Sequence, residues 1–203
     1  MEAYLVTARR LASESFLTRL VREAAAAGVD RIQIREKDLG GRALLRLVRD
    51  SLEAARDTRA TVFVNDRLDV ALAAAAQGLH LGRSGLPVGA VRRWCGDDLV
   101  LGASAHTLKE AMEAQEQGAD YLFFGPVFPT PSKAEFGPPV GVAGLEAVLR
   151  RVRIPVYAIG GIGPENLKQL RGLPLIGVAM ISAFVRAASV PDLIRLVHGG
   201  SWE

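Results

Sequence analysis

The chain has 203 residues, of which 49% are hydrophobic and 23% are charged, which is typical of one globular domain with a well-buried core. A net charge of +3 without a long basic run argues against a nucleic-acid partner, and no apolar stretch reaches the roughly 18–20 residues of a membrane span. The single cysteine, Cys95, excludes an internal disulfide, and the first residues lack the layout of a secretory signal, so we expect a cytoplasmic protein.

Short apolar runs bounded by Gly, Asp or Pro recur along the chain and predict eight buried parallel strands. They cover residues 4–7, 31–34, 61–64, 78–81, 99–102, 121–124, 155–159 and 175–180. Stretches with helical spacing lie between them and predict helices over 15–27, 42–55, 66–76, 87–95, 107–117, 142–151, 164–171 and 191–198. Proline near several helix starts and glycine after others agree with these boundaries.

Eight strands that alternate with eight helices favour an α/β fold, the (β/α)8 TIM barrel, built by residues 1–203 as a single domain. Each unit has about 25 residues, which is near the lower limit for this fold. A doubly wound open sheet is the alternative, but it more often has five or six strands at this length. In a barrel the residues that follow the strands gather at one rim, so these positions bear on function.

Polar side chains follow the second strand. Because side chains alternate along a strand, Gln33, Arg35 and Lys37 share one direction at the rim. Such groups need a ligand or a partner, and a salt bridge from Arg35 or Lys37 to a nearby carboxylate is the structural alternative. Of only four lysines, Lys37 and Lys133 follow predicted strands at the rim. An ammonium there suits phosphate oxygens, or Schiff-base chemistry if it is buried.

Two further strands end in groups that can bind a ligand. Asn65 and Asp66 follow the third strand, where Asp66 either caps the next helix or holds Mg²⁺ beside a phosphate. Ser104 and His106 follow the fifth strand, and His106 is either an acid–base group or a hydrogen-bonded rim histidine. We interpret His80, within the fourth strand, as structural. No His or Cys spacing matches a zinc site.

The last three strands are followed by segments that suit phosphate binding. Residues 125–141 are rich in Gly and Pro, which predicts a lid or substrate loop. Gly161 follows the seventh strand and Ser182 the eighth, and barrels often bind phosphate there through backbone N–H groups. Spacing alone therefore predicts an enzyme acting on phosphorylated small molecules. One anionic subsite lies near Gly161 and Ser182, and a second is formed by Arg35, Lys37, Asn65, Asp66 and Lys133.

The same segments carry a family resemblance. The motifs are Gln-Ile-Arg-Glu-Lys (33–37), Val-Asn-Asp-Arg (64–67), Gly-Leu-His-Leu-Gly (78–82), Gly-Ala-Ser-Ala-His (102–106), Gly-Ala-Asp-Tyr (118–121), Gly-Pro-Val-Phe-Pro-Thr-Pro-Ser-Lys (125–133) and Ala-Ile-Gly-Gly-Ile (158–162). In this order, and over nearly the whole chain, they resemble thiamine-phosphate synthase and its TenI-type relatives. The resemblance implies a (β/α)8 barrel that joins hydroxymethylpyrimidine diphosphate to a thiazole phosphate and releases pyrophosphate and thiamine monophosphate.

The resemblance also implies roles for individual residues. The pyrimidine diphosphate would be held by residues 33–37, including Gln33, Arg35 and Lys37, together with Asn65 and Lys133, and Ser104 would lie beside the pyrimidine. The groups expected to take part in catalysis are Arg35, Lys37, Ser104 and Lys133. The thiazole phosphate would lie near Thr130, Ser132, Gly161, Ile181 and Ser182. Asp66 would be a ligand of Mg²⁺, the expected cofactor.

One position departs from the family pattern. After Gly82 the synthases usually carry Gln-Glu-Asp, whose Asp is the second Mg²⁺ ligand, whereas this chain has Arg83, Ser84 and Gly85. Mg²⁺ bound to a diphosphate can be held by one carboxylate plus phosphate and water. The loss also raises the alternative of a TenI-type thiazole tautomerase, which needs no diphosphate site. Because the diphosphate residues are retained, and Pro126 stands where some tautomerases have a histidine, we favour the synthase.

Two other functions are alternatives. A non-catalytic barrel could bind thiamine intermediates as a regulator, although no DNA-binding motif supports this. A Schiff-base aldolase could use Lys37 or Lys133, but it would not need Asn65 and Asp66. The expected partners are the phosphorylated pyrimidine and thiazole substrates, and the sequence leaves open whether the chain forms a homo-oligomer.

Overall fold

Eight parallel strands close into a barrel in chain order, with the last strand hydrogen-bonded to the first. The structure is a computed structural model that describes residues 1–11, 13–130 and 138–199. The strands are β1 (Glu2–Val6), β2 (Arg31–Ile34), β3 (Thr61–Asn65), β4 (Gly78–Leu81), β5 (Val100–Ala105), β6 (Tyr121–Phe124), β7 (Val156–Ile159) and β8 (Gly177–Met180). The predicted (β/α)8 barrel is therefore confirmed, and the open doubly wound sheet is wrong.

Helices follow the strands around the barrel. In the described residues they are α1 (Glu14–Ala26), α2 (Gly41–Ala55), α3 (Leu68–Ala74), α4 (Val88–Cys95), α5 (Leu108–Glu116), α6 (Gly141–Leu149), α7 (Ser182–Arg186) and α8 (Val190–His198). The hydroxyl oxygens of Ser13, Thr107 and Ser189 accept hydrogen bonds from the third following N–H group and so fix the starts of α1, α5 and α8. None of the helices in these ranges is long and apolar enough to cross a membrane.

Two predicted helices are shorter than the periodicity suggests. The helix predicted over 66–76 spans only Leu68–Ala74, because Asp66 and Ala75 adopt left-handed conformations with φ of 59° and 54°. The helix predicted over 164–171 is a single 3₁₀ turn, Leu167–Leu170. There the Asn166 side chain bonds backbone groups upstream of it, which competes with a longer helix. The short helix α7 after β8 was not predicted.

The barrel interior is filled by rings, while aliphatic side chains on the outer strand faces pack beneath the helices. The buried rings come from Tyr4, Phe63, Tyr121, Phe123 and Tyr157. Glycine makes room for two of them. A Cβ atom on Gly78 would lie 2.2 Å from the Phe63 ring, and one on Gly102 would lie 2.1 Å from the Tyr121 ring. The inward glycines of β4 and β5 are thus required by close packing.

The lower part of the interior holds a partly buried cation. The Arg31 guanidinium lies over the rings of Phe63, Tyr121 and Tyr157, with 5.2, 5.1 and 5.4 Å to the ring centroids. Its Nε is 3.4 Å from a carboxylate oxygen of Glu2. The barrel is therefore a packed core rather than a channel, and the candidate site lies at the opposite end, where the strands finish.

Candidate active site

A row of linked polar groups crosses the ends of β2 and β3. The Gln33 side chain is 1% exposed, and its Nε2 donates to Asn65 Oδ1 at 2.9 Å. Asn65 Nδ2 then donates to Asp66 Oδ2 at 2.8 Å. In the part of the chain that the structure describes, the buried Gln33 Oε1 has no hydrogen-bond partner. A buried acceptor without a donor costs free energy, so this atom is suited to accept an N–H group from a ligand.

Asp66 does not cap a helix, and that alternative is wrong. Its left-handed backbone carries the chain out of β3, and α3 begins two residues later without a side-chain cap. The backbone N–H of Asp66 instead continues the sheet ladder to the carbonyl of His80 at 2.9 Å, and Asp66 Oδ1 accepts from the N–H of Gly82 at 2.7 Å. Aspartate adopts this conformation more readily than most residues do, because its short polar side chain can form local hydrogen bonds.

The two cationic side chains predicted after β2 have different surroundings. Lys37 Nζ lies 3.6 Å from Asp66 Oδ2, so the predicted alternative of a rim salt bridge is observed for Lys37. With 47% of its side chain exposed, this pair adds little to stability. Arg35 has no ion pair within the described ranges, and its charge lies near enough to His80 to lower the pKa of that imidazole. An anionic ligand would therefore meet Arg35 without an ion-pair partner in these ranges and Lys37 already paired with Asp66.

A small cavity lies beside the Asn65–Asp66 pair and Lys37. A cavity of about 220 Å³ is lined by Glu36, Lys37, Asn65, Asp66 and Arg67, together with Leu39 and Leu44. A larger open cavity of about 400 Å³ lies between α2 and α3 and includes none of the predicted site residues. We therefore take the smaller cavity, which contains the polar row and Lys37, as part of the site.

The turn after β4 packs directly against the Asp66 carboxylate. A Cβ atom on Gly85 would lie 2.5 Å from Asp66 Oδ1 and one on Gly82 would lie 3.4 Å from it. Among the residues described, no cluster of three or more His, Cys, Asp or Glu side chains is arranged to hold a metal ion. The single carboxylate of Asp66, beside Lys37, fits Mg²⁺ that arrives with phosphate oxygens, because Mg²⁺ is often held by one or two carboxylates plus substrate phosphates.

Ser104 is a residue of β5 rather than of the loop after it, and its hydroxyl contacts His80. The distance from Ser104 Oγ to His80 Nε2 is 2.9 Å, and His80 Nδ1 lies 3.1 Å from the Tyr121 hydroxyl. His80 is 1% exposed and packs on Phe123 with ring centroids 4.0 Å apart. Burial, and secondarily the charge of Arg35, lowers the pKa of His80 to about 3, so the imidazole is neutral at physiological pH.

His106 is a hydrogen-bonded rim histidine. Its Nδ1 bonds the carbonyl oxygen of Gly125, and because a carbonyl only accepts, Nδ1 carries the hydrogen. The backbone N–H of His106 donates to Glu110 Oε2 at 2.6 Å. His106 therefore joins the end of β5 to the segment after β6. This agrees with the predicted alternative of a hydrogen-bonded rim histidine.

The segment after β6 runs against the loop after β7. The N–H groups of Val127 and Phe128 donate to the carbonyls of Ile159 and Gly160 at 2.9 and 3.0 Å. Gly161 has φ of 65°, and a Cβ atom on it would lie 2.5 Å from the Pro129 carbonyl oxygen, so only glycine fits. Thr130 follows directly in the chain.

Those described residues that are predicted to bind the thiazole phosphate lie around this contact between the two loops. The β7–β8 register pairs Ile159 with Ala179, so Gly161 and Ile181 lie at the same level, and Ser182 opens α7. Thr130 is brought to the same side by the Gly161 contact with the preceding backbone. The predicted residues Ser132 and Lys133 lie outside the described residues, as does part of the predicted lid.

Sequence reasoning missed two groups that hold β1 to β2 at the rim. Thr7 Oγ1 accepts from the backbone N–H of Arg35 at 2.9 Å, and Glu36 Oε2 accepts from the N–H of Arg9 at 2.9 Å. Glu36 is 4% exposed, and burial raises its pKa. The position of Thr7 directly after β1 could have identified it as a rim residue. Nothing in the sequence indicates that Glu36 is buried.

Comparisons with known proteins show the family of this chain. The family described as "Thiamine monophosphate synthase" matches residues 3–184. The thiamine-phosphate synthase of Moorella thermoacetica is 44% identical over 194 residues, which are 96% of this chain and 92% of that protein. The thiamine-phosphate synthase of Syntrophomonas wolfei is 40% identical over 200 residues, which are 98% of this chain and 95% of that protein.

A solved structure agrees in fold and sequence. The thiamine phosphate pyrophosphorylase of Pyrococcus furiosus has a TM-score of 0.87 and 36% identity, over 97% of this chain and 93% of that one. The family and the transferase activity predicted from the sequence are thereby confirmed. The chain belongs to the thiamine monophosphate synthase family.

Proposed function

We propose that this chain joins hydroxymethylpyrimidine diphosphate to a thiazole phosphate in a Mg²⁺-dependent reaction that gives thiamine monophosphate and pyrophosphate. The linked row of Gln33, Asn65 and Asp66, with Lys37 at 3.6 Å from the carboxylate, carries the proposal. The row offers an acceptor for a heterocycle at one end and a cation-binding carboxylate at the other. A tautomerase that binds only a thiazole phosphate needs neither.

The chemistry requires a leaving group rather than a protein nucleophile. The bond between the pyrimidine methylene carbon and the diphosphate oxygen breaks, and its electron pair leaves with pyrophosphate. The aminopyrimidine delocalises the resulting cation. The thiazole ring nitrogen then donates its lone pair to the methylene carbon, and the new C–N bond gives the thiazolium product.

Positive charge at the rim stabilises the departing pyrophosphate. We assign this role to Arg35 and Lys37, which follow β2, and to Lys133 as the third cation. Such preorganised charges act where negative charge develops and commonly provide the largest part of a rate enhancement. Because Lys37 is already within ion-pair distance of Asp66, the diphosphate would exchange one anionic partner of this lysine for another.

Asp66 is the proposed protein ligand of Mg²⁺. When bound, Mg²⁺ supplies positive charge to the diphosphate oxygens. Asn65 and the N–H of Gly82 hold the two carboxylate oxygens of Asp66 in place. Gly85 supplies no second carboxylate, and its turn packs against Asp66 Oδ1, so the remaining ligands would come from phosphate and water.

The two substrates are bound at separate ends of the rim. Gln33 Oε1, the buried acceptor, would receive the exocyclic amino group of the pyrimidine, and Ser104 lies three strands further round the barrel, on β5. Thr130, Ser132, Gly161, Ile181 and Ser182 would hold the thiazole phosphate. This arrangement directs the thiazole nitrogen toward the pyrimidine methylene carbon across the barrel mouth.

The test is pyrophosphate release by the purified protein. We expect release only when both substrates and Mg²⁺ are present, and we expect Asp66→Asn, which keeps the shape and removes the charge, to require much more Mg²⁺. Isomerisation of the thiazole carboxylate phosphate without pyrophosphate would show a tautomerase instead. Binding of both substrates without turnover would show a regulator. Borohydride trapping of a carbonyl substrate on Lys37 or Lys133 would show an aldolase.

A further inference from the structure

Four side chains form a continuous hydrogen-bonded chain from the barrel mouth into its interior. Ser104 Oγ is 2.9 Å from His80 Nε2, His80 Nδ1 is 3.1 Å from the Tyr121 hydroxyl, and the Tyr121 hydroxyl is 2.9 Å from that of Tyr4. Tyr4, His80 and Tyr121 are at most 1% exposed. We call these four residues the hydroxyl–imidazole chain.

A neutral imidazole allows two directions for the hydrogen bonds of this chain. Both ring nitrogens of His80 face neutral hydroxyls, and no carboxylate of the described residues contacts the ring, so the ring carries one hydrogen. One nitrogen then donates and the other accepts. Which nitrogen carries the hydrogen decides whether Ser104 receives a hydrogen bond from His80 or gives one to it.

The deep end of the chain distinguishes the two directions. If Nδ1 carried the hydrogen, His80 would donate to Tyr121 and Tyr121 would donate to Tyr4. The hydrogen of the Tyr4 hydroxyl would then be buried with no acceptor among the described residues, which is costly. In the opposite direction Tyr4 donates to Tyr121, Tyr121 donates to Nδ1, and Nε2 donates to Ser104, so every buried hydrogen has an acceptor.

We propose that His80 is a positioning residue: it carries its hydrogen on Nε2 and donates to Ser104 Oγ, which leaves the Ser104 hydroxyl hydrogen to donate to the bound pyrimidine diphosphate. The role of Ser104 toward that substrate rests on the proposed function. The hydroxyl–imidazole chain thus makes the Ser104 hydroxyl a hydrogen-bond donor before any ligand binds. A substrate atom that meets this hydroxyl must therefore be an acceptor, such as a ring nitrogen or an ester oxygen.

The tautomer can be observed without turnover. Only three histidines occur in the chain, so ¹⁵N-histidine labelling and long-range ¹H–¹⁵N correlation resolve their rings, and the His80→Gln variant identifies the His80 signals. We expect a protonated Nε2 and an unprotonated Nδ1 in the ligand-free protein. A protonated Nδ1 overturns the proposal while leaving the synthase reaction untouched.

Two matched variants test the direction of the chain. Tyr4→Phe and Tyr121→Phe each remove one buried hydroxyl from the same cluster. Without Tyr4, Tyr121 can still donate to His80, so we expect the tautomer and kcat to be retained. Without Tyr121, Nδ1 loses its donor and the tautomer is no longer enforced, so we expect kcat to fall about tenfold, which corresponds to one hydrogen bond.

The kinetic pattern separates positioning from general damage. We expect the KM for the thiazole phosphate to stay unchanged in both variants, because that substrate is bound by other strands. Equal losses of kcat in Tyr4→Phe and Tyr121→Phe, or a tautomer change in Tyr4→Phe, would refute the direction. If the wild-type protein releases no pyrophosphate at all, the proposed function fails, and the ¹⁵N spectrum still decides the tautomer.

Discussion

His80 makes the folded protein sensitive to acid. Its imidazole lies inside the barrel between Ser104 and Tyr121, and burial lowers its pKa from 6.5 to about 3. In the unfolded chain the same imidazole binds a proton near its ordinary pKa. As the pH falls below about 6.5, the unfolded state therefore gains a proton that the folded state does not accept.

The expected loss of stability in acid follows from the difference between the pKa of His80 in the folded and in the unfolded state. We expect the contribution of His80 to stability to be fully present above a pH of about 6.5 and to be lost by about 1.4 kcal/mol per pH unit as the pH falls toward 3. At a pH of about 4.5 the loss relative to neutral pH amounts to roughly 2–3 kcal/mol. This is a large share of the 5–15 kcal/mol or so by which a typical domain is stable.

Urea unfolding at several pH values between about 7.5 and about 4.5 measures the effect, with His80→Gln as the comparison. Glutamine does not titrate, so we expect the wild-type stability to fall more steeply with decreasing pH than that of the variant. Ser104→Ala is the matched control, because it removes a partner of the imidazole and leaves the ring buried, and it should retain the steep slope. Parallel pH profiles for wild type and His80→Gln would refute the reasoning.

Three further outcomes are expected. Gly102→Ala should destabilise the fold by about 1–3 kcal/mol in urea unfolding, because its Cβ would lie 2.1 Å from the Tyr121 ring, and unchanged stability would contradict that packing. Gly85→Ala should raise the Mg²⁺ concentration for half-maximal pyrophosphate release, because its Cβ crowds Asp66, and Gly85→Asp, which adds the same Cβ and also a carboxylate, should need less Mg²⁺ than Gly85→Ala; identical titrations of the two variants would remove the missing ligand from consideration. Glu36→Gln should stabilise the protein at neutral pH and less so below pH 4.5, because the raised pKa makes the ionised carboxylate unfavourable in the fold, and thermal unfolding at two pH values checks this.

The barrel was predictable because its signal is repeated. Eight apolar runs at regular spacing admit few topologies, and the register of parallel strands then brings the residues after β2, β3 and β5 to one rim. The meeting of Gln33, Asn65 and Asp66 follows from adjacency of β2 and β3 in the sheet. Predicting these contacts requires only the strand order and the alternation of side chains along each strand.

Other features depend on contacts that no local pattern encodes. The left-handed backbone of Asp66 is held by groups from β4, so its sequence position before a helical pattern suggested a cap that does not form. His80 is structural, as predicted, but its contact with Ser104 depends on the depth at which both side chains enter the barrel. In the sequence, Gly78 and Gly102 appear only as ends of predicted strands or as members of a motif. In the fold they leave space for the rings of Phe63 from β3 and Tyr121 from β6.

The row at the ends of β2 and β3 has a consequence for substrate choice. The Asp66 carboxylate can only accept, so Asn65 must direct its NH₂ group toward it, and Asn65 in turn must direct its oxygen toward the Gln33 NH₂ group. The negative charge of Asp66 thus orients two amides and leaves the Gln33 oxygen as a buried acceptor without a partner among the described residues. In the proposed complex, a pyrimidine with a carbonyl in place of its amino group would meet this oxygen with another acceptor. The carboxylate that we propose as the Mg²⁺ ligand would therefore also determine, through Asn65 and Gln33, that the site prefers an aminopyrimidine over its deaminated form.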